Sequence, residues 1–577
     1  MRLRLALTAL LLTTAAAPAP RPNIVILLAD DWGFTDVGAF GGEIATPNID
    51  ALAANGVRFA NFHVAGSCAP TRAMLQTGLS SHRAGLGNMP ETIPPAHRGK
   101  PGYETVLRRD AVTIAERLRR SGYRTVFAGK WHLGHAPGDL PDARGYDRAL
   151  AMSQSGADNF ENKPNRLLYD RADWTEDGKA ANLPASFYSS TLLVDRTLAF
   201  LANGDQAKPF LASVNFLANH IPLQASDADI AAYRRRYEAG WSDLRTARRA
   251  GAVAKGVIPA GVPMVTMQTT RDWAGQFPAE RRQRSIAMAA YAGMATAMDR
   301  DVGRLVAQLK ATGAYDNTIF VFLSDNGAEA TDPMLGGGAR AMAIRNYDQR
   351  IDQQGRPGSL TAIGAGFASA VASPLRGYKF TASEGGLRVP MVIAWPGNPA
   401  LAKGAVATGF AHVTDVAPTL LQLAGVPPEG KPAMTGHSLV PMLAGGSAGV
   451  RRADEPLGYE LSGNAVLWKG DLKLVKNLPP YGDGGWQLFD ITRDPGETRD
   501  LQRARPAEFA AMQADYAAWA AANDVLPMPA GYSAPQQIMD NARRELLLPR
   551  LRPVLGWAAA LAALLGVWLW GGRVNRG

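Results

Sequence analysis

Five short runs of apolar residues, each bounded by turn-forming residues, are spread between positions 23 and 395. The first run, Asn23–Ala29, is continuous and rich in Ile, Val and Leu, a pattern typical of a strand buried on both faces of a sheet. The remaining predicted strands lie at 124–128, 209–216, 318–323 and 389–395, and amphipathic helices are predicted at 111–121, 285–312 and 412–424. This alternation predicts an α/β domain over residues 21–455, with a large, mostly parallel sheet flanked by helices.

From residue 456 onward the pattern is that of a smaller domain with short strands and turns rich in Gly, Pro and Asp. The candidate elements are strands at 465–469, 473–475 and 486–489 and a helix at 506–523. They predict a small C-terminal α+β domain over residues 456–530, followed by a linker at 531–552. Within the large domain, residues 330–375 have little periodicity, which is typical of a cover over a functional site or of a mobile insertion.

Residues 1–20 have the features of a secretory signal peptide. Arg2 and Arg4 precede a short apolar run that ends in small residues, the usual order in a cleaved leader. We therefore expect export to the periplasm or another extracytoplasmic compartment. An uncleaved N-terminal anchor is the alternative, because prolines at positions 18 and 20 obscure the cleavage point.

Residues 553–570 form an entirely apolar run near the other end of the chain. A helix of this length would span about 27 Å, close to the thickness of a bilayer core. Trp557, Trp568 and Trp570 lie near its ends, as interfacial aromatic residues do. The run predicts a transmembrane helix that anchors the exported protein, and a buried or oligomer-forming terminal helix is the alternative.

Composition and charge exclude several classes of protein as candidates for this chain. With 46% hydrophobic and 19% charged residues, the chain is globular. Cys68 is the only cysteine, which excludes an intrachain disulfide and a cysteine-rich zinc or iron–sulfur site. The net charge of +10 is spread along the chain without a basic block, so nucleic acid is not an expected partner.

Acidic and amide side chains follow two of the predicted strands. Asp30 and Asp31 come directly after the first strand, and Asp325 and Asn326 come after the strand at 318–323. Ligands of open α/β sheets bind beyond the carboxyl ends of the strands. Three neighbouring carboxylates repel one another unless a cation neutralises them, and oxygen ligands favour calcium or magnesium over zinc. A helix cap at Asp30 and a tight turn at Asp325 are the alternatives.

Basic and imidazole side chains follow other predicted strands and are expected at the same edge of the sheet. Lys130 and His132 follow the second strand, His220 follows the third, and Lys379 comes after a turn. A surface loop is the alternative for Lys130 and His132, and a structural role is the alternative for His220.

Cys68 begins a predicted short helix in which Pro70 suits the first turn and Gly78 the end. Free N–H groups at a helix N-terminus favour an anion, and Arg72, one turn further on, reaches the same point. Two alternatives stand beside a special role for this residue. A lone buried cysteine is usually an inert packing residue, and a bare thiol in this position would also be a plausible nucleophile.

With these motifs the chain resembles the type I sulfatases of the alkaline phosphatase superfamily, and its layout is most similar to the bacterial arylsulfatases. The family signature Cys-x-Pro-x-Arg, followed by four residues and Thr-Gly, is matched from Cys68 to Gly78. A second signature, Gly-Tyr-x-Thr-x-x-x-Gly-Lys-x-His, is matched from Gly122 to His132. The likeness continues at 22–31, 46–50, 324–327, 385–390 and 494–497. It covers nearly everything from 21 to 525 and implies an alkaline-phosphatase-like fold for the large domain.

The resemblance also implies a chemistry. Cys68 would be oxidised by a formylglycine-generating maturation enzyme to formylglycine, whose hydrated aldehyde attacks the sulfur of a small sulfate ester. A calcium ion, or alternatively magnesium, would be held by Asp30, Asp31, Asp325, Asn326 and the modified Cys68. Arg72 and Lys130 would hold the formylglycine hydroxyls, Lys130, His220 and Lys379 would bind the substrate, His220 would protonate the leaving alcohol, and His132 would accept the proton that triggers sulfate release.

The expected function is hydrolysis of sulfate monoesters, with aryl sulfates as the expected substrates, and specificity is expected to come from loops at 140–185, 225–280 and 330–375. Two other functions remain open from the sequence. The first is a phosphonate monoester or phosphodiester hydrolase of the same superfamily. The second is an inactive homologue that binds sulfated ligands.

Overall fold

The computed structural model describes residues 20–547 except 266, 268, 447 and 448, together with 557 and 560–563. The predicted signal peptide and the predicted transmembrane helix at 553–570 therefore lie, for the most part, outside the described residues. Among the residues that are described, no helix combines the length and apolarity needed to cross a bilayer.

The strands and helices of the described residues alternate as expected. The strands are β1 Asn23–Ala29, β2 Gly56–Phe59, β3 Phe62–His63, β4 Arg124–Lys130, β5 Arg148–Met152, β6 Trp174–Glu176, β7 Lys179–Ala180, β8 Phe210–Asn215, β9 Thr318–Ser324, β10 Met391–Ala394, β11 Val406–Ala407, β12 Ala411–His412, β13 Leu457–Leu461, β14 Asn464–Lys469, β15 Leu472–Lys476 and β16 Trp486–Asp490. The α-helices are α1 Pro47–Ala54, α2 Cys68–Thr77, α3 Ile114–Arg120, α4 Ser189–Ala202, α5 Asp227–Tyr233, α6 Trp241–Ala254, α7 Pro278–Ala311, α8 Gly337–Asn346, α9 Gly364–Val371, α10 Glu384–Leu387, α11 Val416–Leu423, α12 Val440–Leu443, α13 Pro506–Ala522 and α14 Ala534–Ala542.

A ten-stranded mixed sheet forms the large domain, in the order β11-β2-β10-β9-β1-β8-β4-β5-β6-β7. Its centre is parallel, since β1 pairs in parallel with β8 and β9, and β4 pairs in parallel with β8 and β5. The predicted α/β fold class is confirmed. Strand β10 differs from the expectation, because it runs antiparallel to β9. The first residue of β10, Met391, pairs with Leu323 near the end of β9, and β10 then runs in the opposite direction along β9.

Strand β1 explains why the sheet needs helices on both faces. Val25 and Leu27 pack into one apolar core, while Ile24, Ile26 and Leu28 pack into the core on the opposite face. Side chains of a strand alternate between faces, so a continuously apolar run must be covered on both sides. The long helix α7, whose buried residues include Met294 and Met298, covers the first face together with α1, α4 and α5.

The small C-terminal domain is a four-stranded antiparallel sheet, β13 to β16, with helix α13 packed against it. Lys473 on β15 joins it to the large domain, because its Nζ lies 2.8 Å from Glu384 Oε1 and 2.8 Å from Glu497 Oε1. Glu384 belongs to the large domain and also contacts His63 Nε2 at 3.0 Å. All of these side chains are fully buried.

Two regions without predicted structure contain helices. Residues 330–375 include α8 and α9, and α14 lies within the predicted linker at 531–552. Asn541 at the end of α14 is buried and donates to the backbone carbonyl oxygens of Glu91 and Ile93 at 2.9 and 3.1 Å. Helix α14 is therefore docked on the large domain.

Candidate active site

The predicted site residues meet at one edge of the large sheet, beside the ends of β1, β4 and β9. Asp30 follows β1 directly, Lys130 is the last residue of β4, and Asp325 follows β9. Gly129 has a φ of 124°, and a Cβ there would lie 1.8 Å from the Asn215 carbonyl oxygen. Only glycine fits such a position, so the Gly-Lys pair lets β4 approach β8 while it delivers Lys130 to the edge.

Asp30, Asp31, Cys68 and Asp325 form a compact buried cluster. One ligand atom of each residue lies within 4.8 Å of the others. Asn326 joins this cluster, because its Nδ2 donates to Asp31 Oδ1 at 2.6 Å. Asp31 has a φ of 65°, a left-handed conformation that is costly without glycine and is often found at functional sites. The structure thus places all five predicted metal ligands together.

Three buried cationic side chains face the three carboxylates. The pairs are Arg72 Nη2–Asp325 Oδ2 at 2.7 Å, Lys130 Nζ–Asp30 Oδ2 at 2.7 Å and Lys379 Nζ–Asp31 Oδ1 at 2.8 Å. Arg72 also donates to the Lys130 carbonyl oxygen at 2.7 Å. Repulsion among the carboxylates is therefore offset in this structure by protein cations.

The two aspartates after β1 differ in their electrostatics. Burial raises the pKa of Asp30 to about 7, because repulsion from Asp325 adds to it and attraction to Lys130 offsets it only in part. Burial would also raise the pKa of Asp31, but attraction to the buried Lys379, the largest opposing cause, lowers it to about 2. The two neighbouring carboxyl groups therefore have opposite pKa shifts, upward for Asp30 and downward for Asp31.

Cys68 is the first residue of α2, which ends where Gly78 adopts a φ of 69°. Its Sγ lies 3.6 Å from Asp30 Oδ1, so the side chain points at the acidic cluster and is no ordinary packing residue. Burial, followed by the negative charge of Asp325, raises the pKa of the Cys68 thiol well above its usual range. Because the thiolate is the nucleophilic form, the unmodified thiol is a poor nucleophile here.

His220 lies in the loop after β8, with its Nδ1–H donating to the Ile221 carbonyl oxygen at 2.8 Å. A ring nitrogen lies within 4.8 Å of ligand atoms of both Asp30 and Cys68. Burial, followed by the charges of the neighbouring lysines, lowers the pKa of His220 well below its usual value. The imidazole is therefore neutral in this arrangement and needs the negative charge of a bound ligand before it can donate a proton from its second nitrogen.

His132 lies two residues beyond β4 and is held by a carboxylate. Its Nε2 lies 3.3 Å from Glu91 Oε1, and the same oxygen accepts a hydrogen bond from the Tyr169 hydroxyl. Burial would raise the pKa of Glu91, but His132 and Tyr169 lower it to about 2. His132 Nδ1 is buried and has no hydrogen-bond partner among the described residues. Glu91 thus orients the imidazole through one nitrogen and leaves the other without a protein partner.

Three polar residues of the site were not predicted from the sequence. They are Glu91, Tyr169 and Glu329, whose Oε2 lies 3.1 Å from Lys379 Nζ. Glu91 lies in the short 3₁₀ helix Pro90–Thr92 and Tyr169 lies in an irregular segment, and neither belongs to a motif that identifies it from the sequence. Glu329 comes soon after the Asp325-Asn326-Gly327 motif, and its position there was a usable signal.

The first testable prediction concerns the pair formed by Glu91 and His132. We expect Glu91→Gln to lower kcat about 10- to 100-fold with little change in KM, as removal of an orienting carboxylate does. The variant removes the anion that favours protonated His132, so the pKa of His132 falls. If the neutral imidazole is the active form, the acidic limb of the kcat profile moves to lower pH.

Full kcat and KM profiles against pH would check this prediction. Glu508→Gln, at an exposed glutamate on α13, is the matched control and should leave both profiles unchanged. A Glu91→Gln enzyme with the wild-type kcat and pH profile would rule out the positioning role.

The donor set fits a hard divalent cation. Asn326 Oδ1 is buried without a hydrogen-bond partner among the described residues, and it stands beside carboxylate oxygens. A buried carbonyl oxygen without a donor is costly unless a cation or water satisfies it. Calcium is coordinated by carboxylate and amide oxygens, which are the groups that Asp30, Asp31, Asp325 and Asn326 present.

A cavity of about 310 Å³ lies in front of His220 and Lys379. Residues of the loops 140–185 and 330–375 line it, as expected, whereas no described residue of 225–280 does. Strand segments of the C-terminal domain and helix α14 also contribute to its walls. The cavity therefore lies beside the cluster of paired carboxylates and cations, with His220 and Lys379 on its lining.

Family models match most of the chain. A model described as Sulfatase matches residues 22–426, and one described as N-sulphoglucosamine sulphohydrolase, C-terminal, matches residues 379–515. An uncharacterized sulfatase of Schizosaccharomyces pombe is 33% identical over 517 residues, covering 85% of this chain and 92% of that protein. An arylsulfatase of Klebsiella aerogenes is 35% identical over 419 residues, covering 72% of this chain and 89% of that protein.

Solved structures agree with these sequence matches. The crystal structure of Ps i-CgsB has a TM-score of 0.64 and 25% sequence identity, covering 92% of this chain and 99% of that chain. The PsFucS1 sulfatase from Pseudoalteromonas sp. has a TM-score of 0.58 at 21% identity, covering 88% of this chain and 91% of that chain. Because its sequence identity is only 21%, the similarity to the PsFucS1 sulfatase concerns the fold alone.

Proposed function

The chain belongs to the sulfatase family and is a sulfuric ester hydrolase, and we propose that it hydrolyses aryl sulfates through a formylglycine made from Cys68. The observation that supports this most directly is the position of Cys68. Its Sγ lies at the start of α2, 3.6 Å from Asp30, within a cluster of carboxylates and cations. In its thiol form the side chain is protonated and weakly nucleophilic, so it needs chemical conversion before it can act.

The proposed reaction has two steps, and both use the hydrated aldehyde of residue 68. In the first, one hydroxyl attacks sulfur, the bond between sulfur and the ester oxygen breaks, and the alcohol leaves with a proton. In the second, the other hydroxyl loses its proton, the bond between carbon and the sulfate oxygen breaks, and sulfate leaves as the aldehyde re-forms. Water then hydrates the aldehyde again.

Asp30, Asp31, Asp325, Asn326 and residue 68 would hold a calcium ion, with magnesium as the alternative. When bound, this ion would polarise a sulfate oxygen and stabilise negative charge. It would also take over the neutralisation of the carboxylates, which frees Lys130 and Lys379 to bind the anionic sulfate group. The pairing of both lysines with the carboxylates, and the position of Lys379 at the cavity, support this exchange of partners.

The other residues have roles that follow from their contacts. Arg72 is fixed by Asp325 and presents positive charge one turn from residue 68. The negative charge of a bound ester would raise the pKa of His220, so that its ring can protonate the leaving alcohol. His132, oriented by Glu91, would accept the proton whose loss releases sulfate.

The remaining proposals concern where the enzyme works and what prepares it. We propose export through the N-terminal signal peptide, conversion of Cys68 by a formylglycine-generating enzyme, and anchoring to the membrane by residues 553–570. The apolar pattern of both chain ends supports export and anchoring.

The proposed activity is tested with matched esters of one phenol. We expect kcat/KM for 4-nitrophenyl sulfate to exceed that for 4-nitrophenyl phosphate and for the 4-nitrophenyl ester of phenylphosphonate by at least about 100-fold. The phosphate ester carries more negative charge near pH 7, and the phosphonate ester presents one non-bridging oxygen fewer. The enzyme must be made in a host that carries the maturation enzyme. A preference for a phosphorus ester would replace the proposal with a phosphonate or phosphodiester hydrolase, and binding of sulfate esters without turnover would indicate an inactive homologue.

A further inference from the structure

The cavity above His220 and Lys379 is lined mostly by apolar side chains. Beside polar side chains such as Asn165, Thr331 and Asn464, three apolar pairs contribute to its walls: Leu167 with Leu168, Leu478 with Tyr481, and Ile538 with Met539. The last pair belongs to α14, which lies beyond residue 515, where the family matches end. The cavity is therefore completed by a segment outside the part of the chain shared with the family models.

We propose that α14 is a specificity wall and that Ile538 and Met539 select sulfate esters of apolar, uncharged phenols or alcohols over sulfated sugars. This inference rests on the proposed function and names the substrate class of the same site. A polar sugar placed against these side chains would lose hydrogen bonds to water without replacement. An apolar ring would instead gain from the removal of its surface from water.

Helix α14 is held firmly enough to act as a wall. Asn541 fixes its end to the backbone of Glu91 and Ile93, and the Tyr532 hydroxyl donates to the Thr92 carbonyl oxygen at 2.8 Å. On the other side α14 meets α8, since a Cβ at Gly338 would lie 3.0 Å from the terminal carbon of Met539. The wall is thus supported by two separate parts of the large domain.

The charges around the cavity favour the same class of substrate. Lys379 is the one lysine or arginine among its described lining residues, whereas Glu329 and Asp332 contribute carboxylates. Lys379 already belongs to the sulfate end of the site, so no second cation is available there for a further sulfate or carboxylate group. Glu329 is paired with Lys379 at 3.1 Å and Asp332 is paired with Arg284, so the described lining offers a polyanionic glycan no further unpaired cation.

The size of the cavity sets a limit on the substrate. A cavity of about 150 Å³ accommodates benzene, and this one measures about 310 Å³. One or two rings therefore fill it. The expected substrate is a sulfate monoester of a phenol or a similar apolar alcohol with no other charged group.

The test compares substrates on the full-length, matured enzyme. For the wild type we expect kcat/KM for 4-nitrophenyl sulfate to exceed that for N-acetylgalactosamine 6-sulfate at least about 100-fold. The double variant Ile538→Ala/Met539→Ala should lose about 10-fold or more for the aryl ester, mainly through KM, because several apolar contacts disappear. The loss for the sugar ester should be smaller.

Two further variants make the test specific. Gln536→Ala changes an exposed residue of α14 that does not line the cavity, and it should keep the wild-type substrate profile. Met539→Gln keeps the unbranched side chain but adds polar atoms, and it should reduce the preference for the aryl ester by about fivefold or more. The inhibition constant of inorganic sulfate should be the same for the wild type and all variants, because the residues around the sulfate group are unchanged.

The outcomes separate this inference from the proposed function. If the wild type hydrolyses 4-nitrophenyl sulfate and neither cavity variant changes KM, the wall has no role in specificity although the sulfatase stands. A wild type that prefers the sugar ester would overturn the inference in the same way. If no sulfate ester is hydrolysed, the proposed function itself fails.

Discussion

Replacing Cys68 with alanine should abolish turnover while the fold persists. The side chain sits at the first position of α2 and points at Asp30, so its removal eliminates the reacting atom and few packing contacts. Loss of an enzyme nucleophile lowers kcat by several orders of magnitude, and we expect a decrease of about 10⁴-fold or more for 4-nitrophenyl sulfate. The melting temperature should stay within a few degrees of the wild type.

The matched control is the wild-type chain made in a host without the maturation enzyme, which keeps the thiol at position 68. Mass spectrometry of the peptide with residue 68 should find the aldehyde in the active preparation and the thiol in the inactive one. A fully active enzyme that retains the thiol would exclude the formylglycine mechanism. Unfolding of Cys68→Ala would instead assign this residue to packing.

The second large effect is expected for Asp325→Ala. Arg72 is almost fully buried and donates two hydrogen bonds to Asp325, so the variant leaves this buried cation with only its longer ion pair to Asp30, at 3.5 Å. Breaking a buried ion pair in this way costs about 3–5 kcal/mol of stability. The same change removes one of the proposed oxygen ligands of the metal ion, so activity should fall about 10³-fold, and addition of calcium should no longer raise the melting temperature.

Asp316→Ala is the control, because Asp316 is an exposed carboxylate just before the same strand. It should keep the wild-type urea midpoint, activity and response to calcium. If Asp325→Ala matched this control in all three measurements, the acidic cluster could not be the metal site. Treatment of the wild type with a chelator provides an independent comparison and should reproduce the loss of activity.

The central strands were predictable because burial on both faces leaves a clear pattern. Strand β1 has the predicted bounds, and β4, β8 and β9 differ from the predictions by a residue or two at their ends. The strands at the sheet edges were missed, since β7 and β11 have only two residues each and no apolar run. Helix α4 was not among the predicted elements, although its amphipathic pattern of apolar residues is sufficient to predict a helix.

The candidate site was predictable where its residues follow strands. Asp30, Lys130 and Asp325 lie at or directly after the carboxyl ends of parallel strands. Those strands can be recognised in the sequence from their apolar runs, so the position of these residues could be predicted. Glu91 and the wall formed by α14 come from segments whose path depends on tertiary packing. Nothing in the local pattern of residues 531–552 distinguishes a docked helix from a linker.

The buried lysine between the two domains limits how this architecture can be rearranged. Lys473 compensates Glu384, a carboxylate fixed in the large domain without access to water. Exchange of the small sheet for that of another protein would remove one partner of Glu384 and leave it with His63 and Arg388, unless the incoming sheet carried a cation in register. Recombination that preserves stability therefore has to keep the two domains together, at least where Lys473 contacts Glu384.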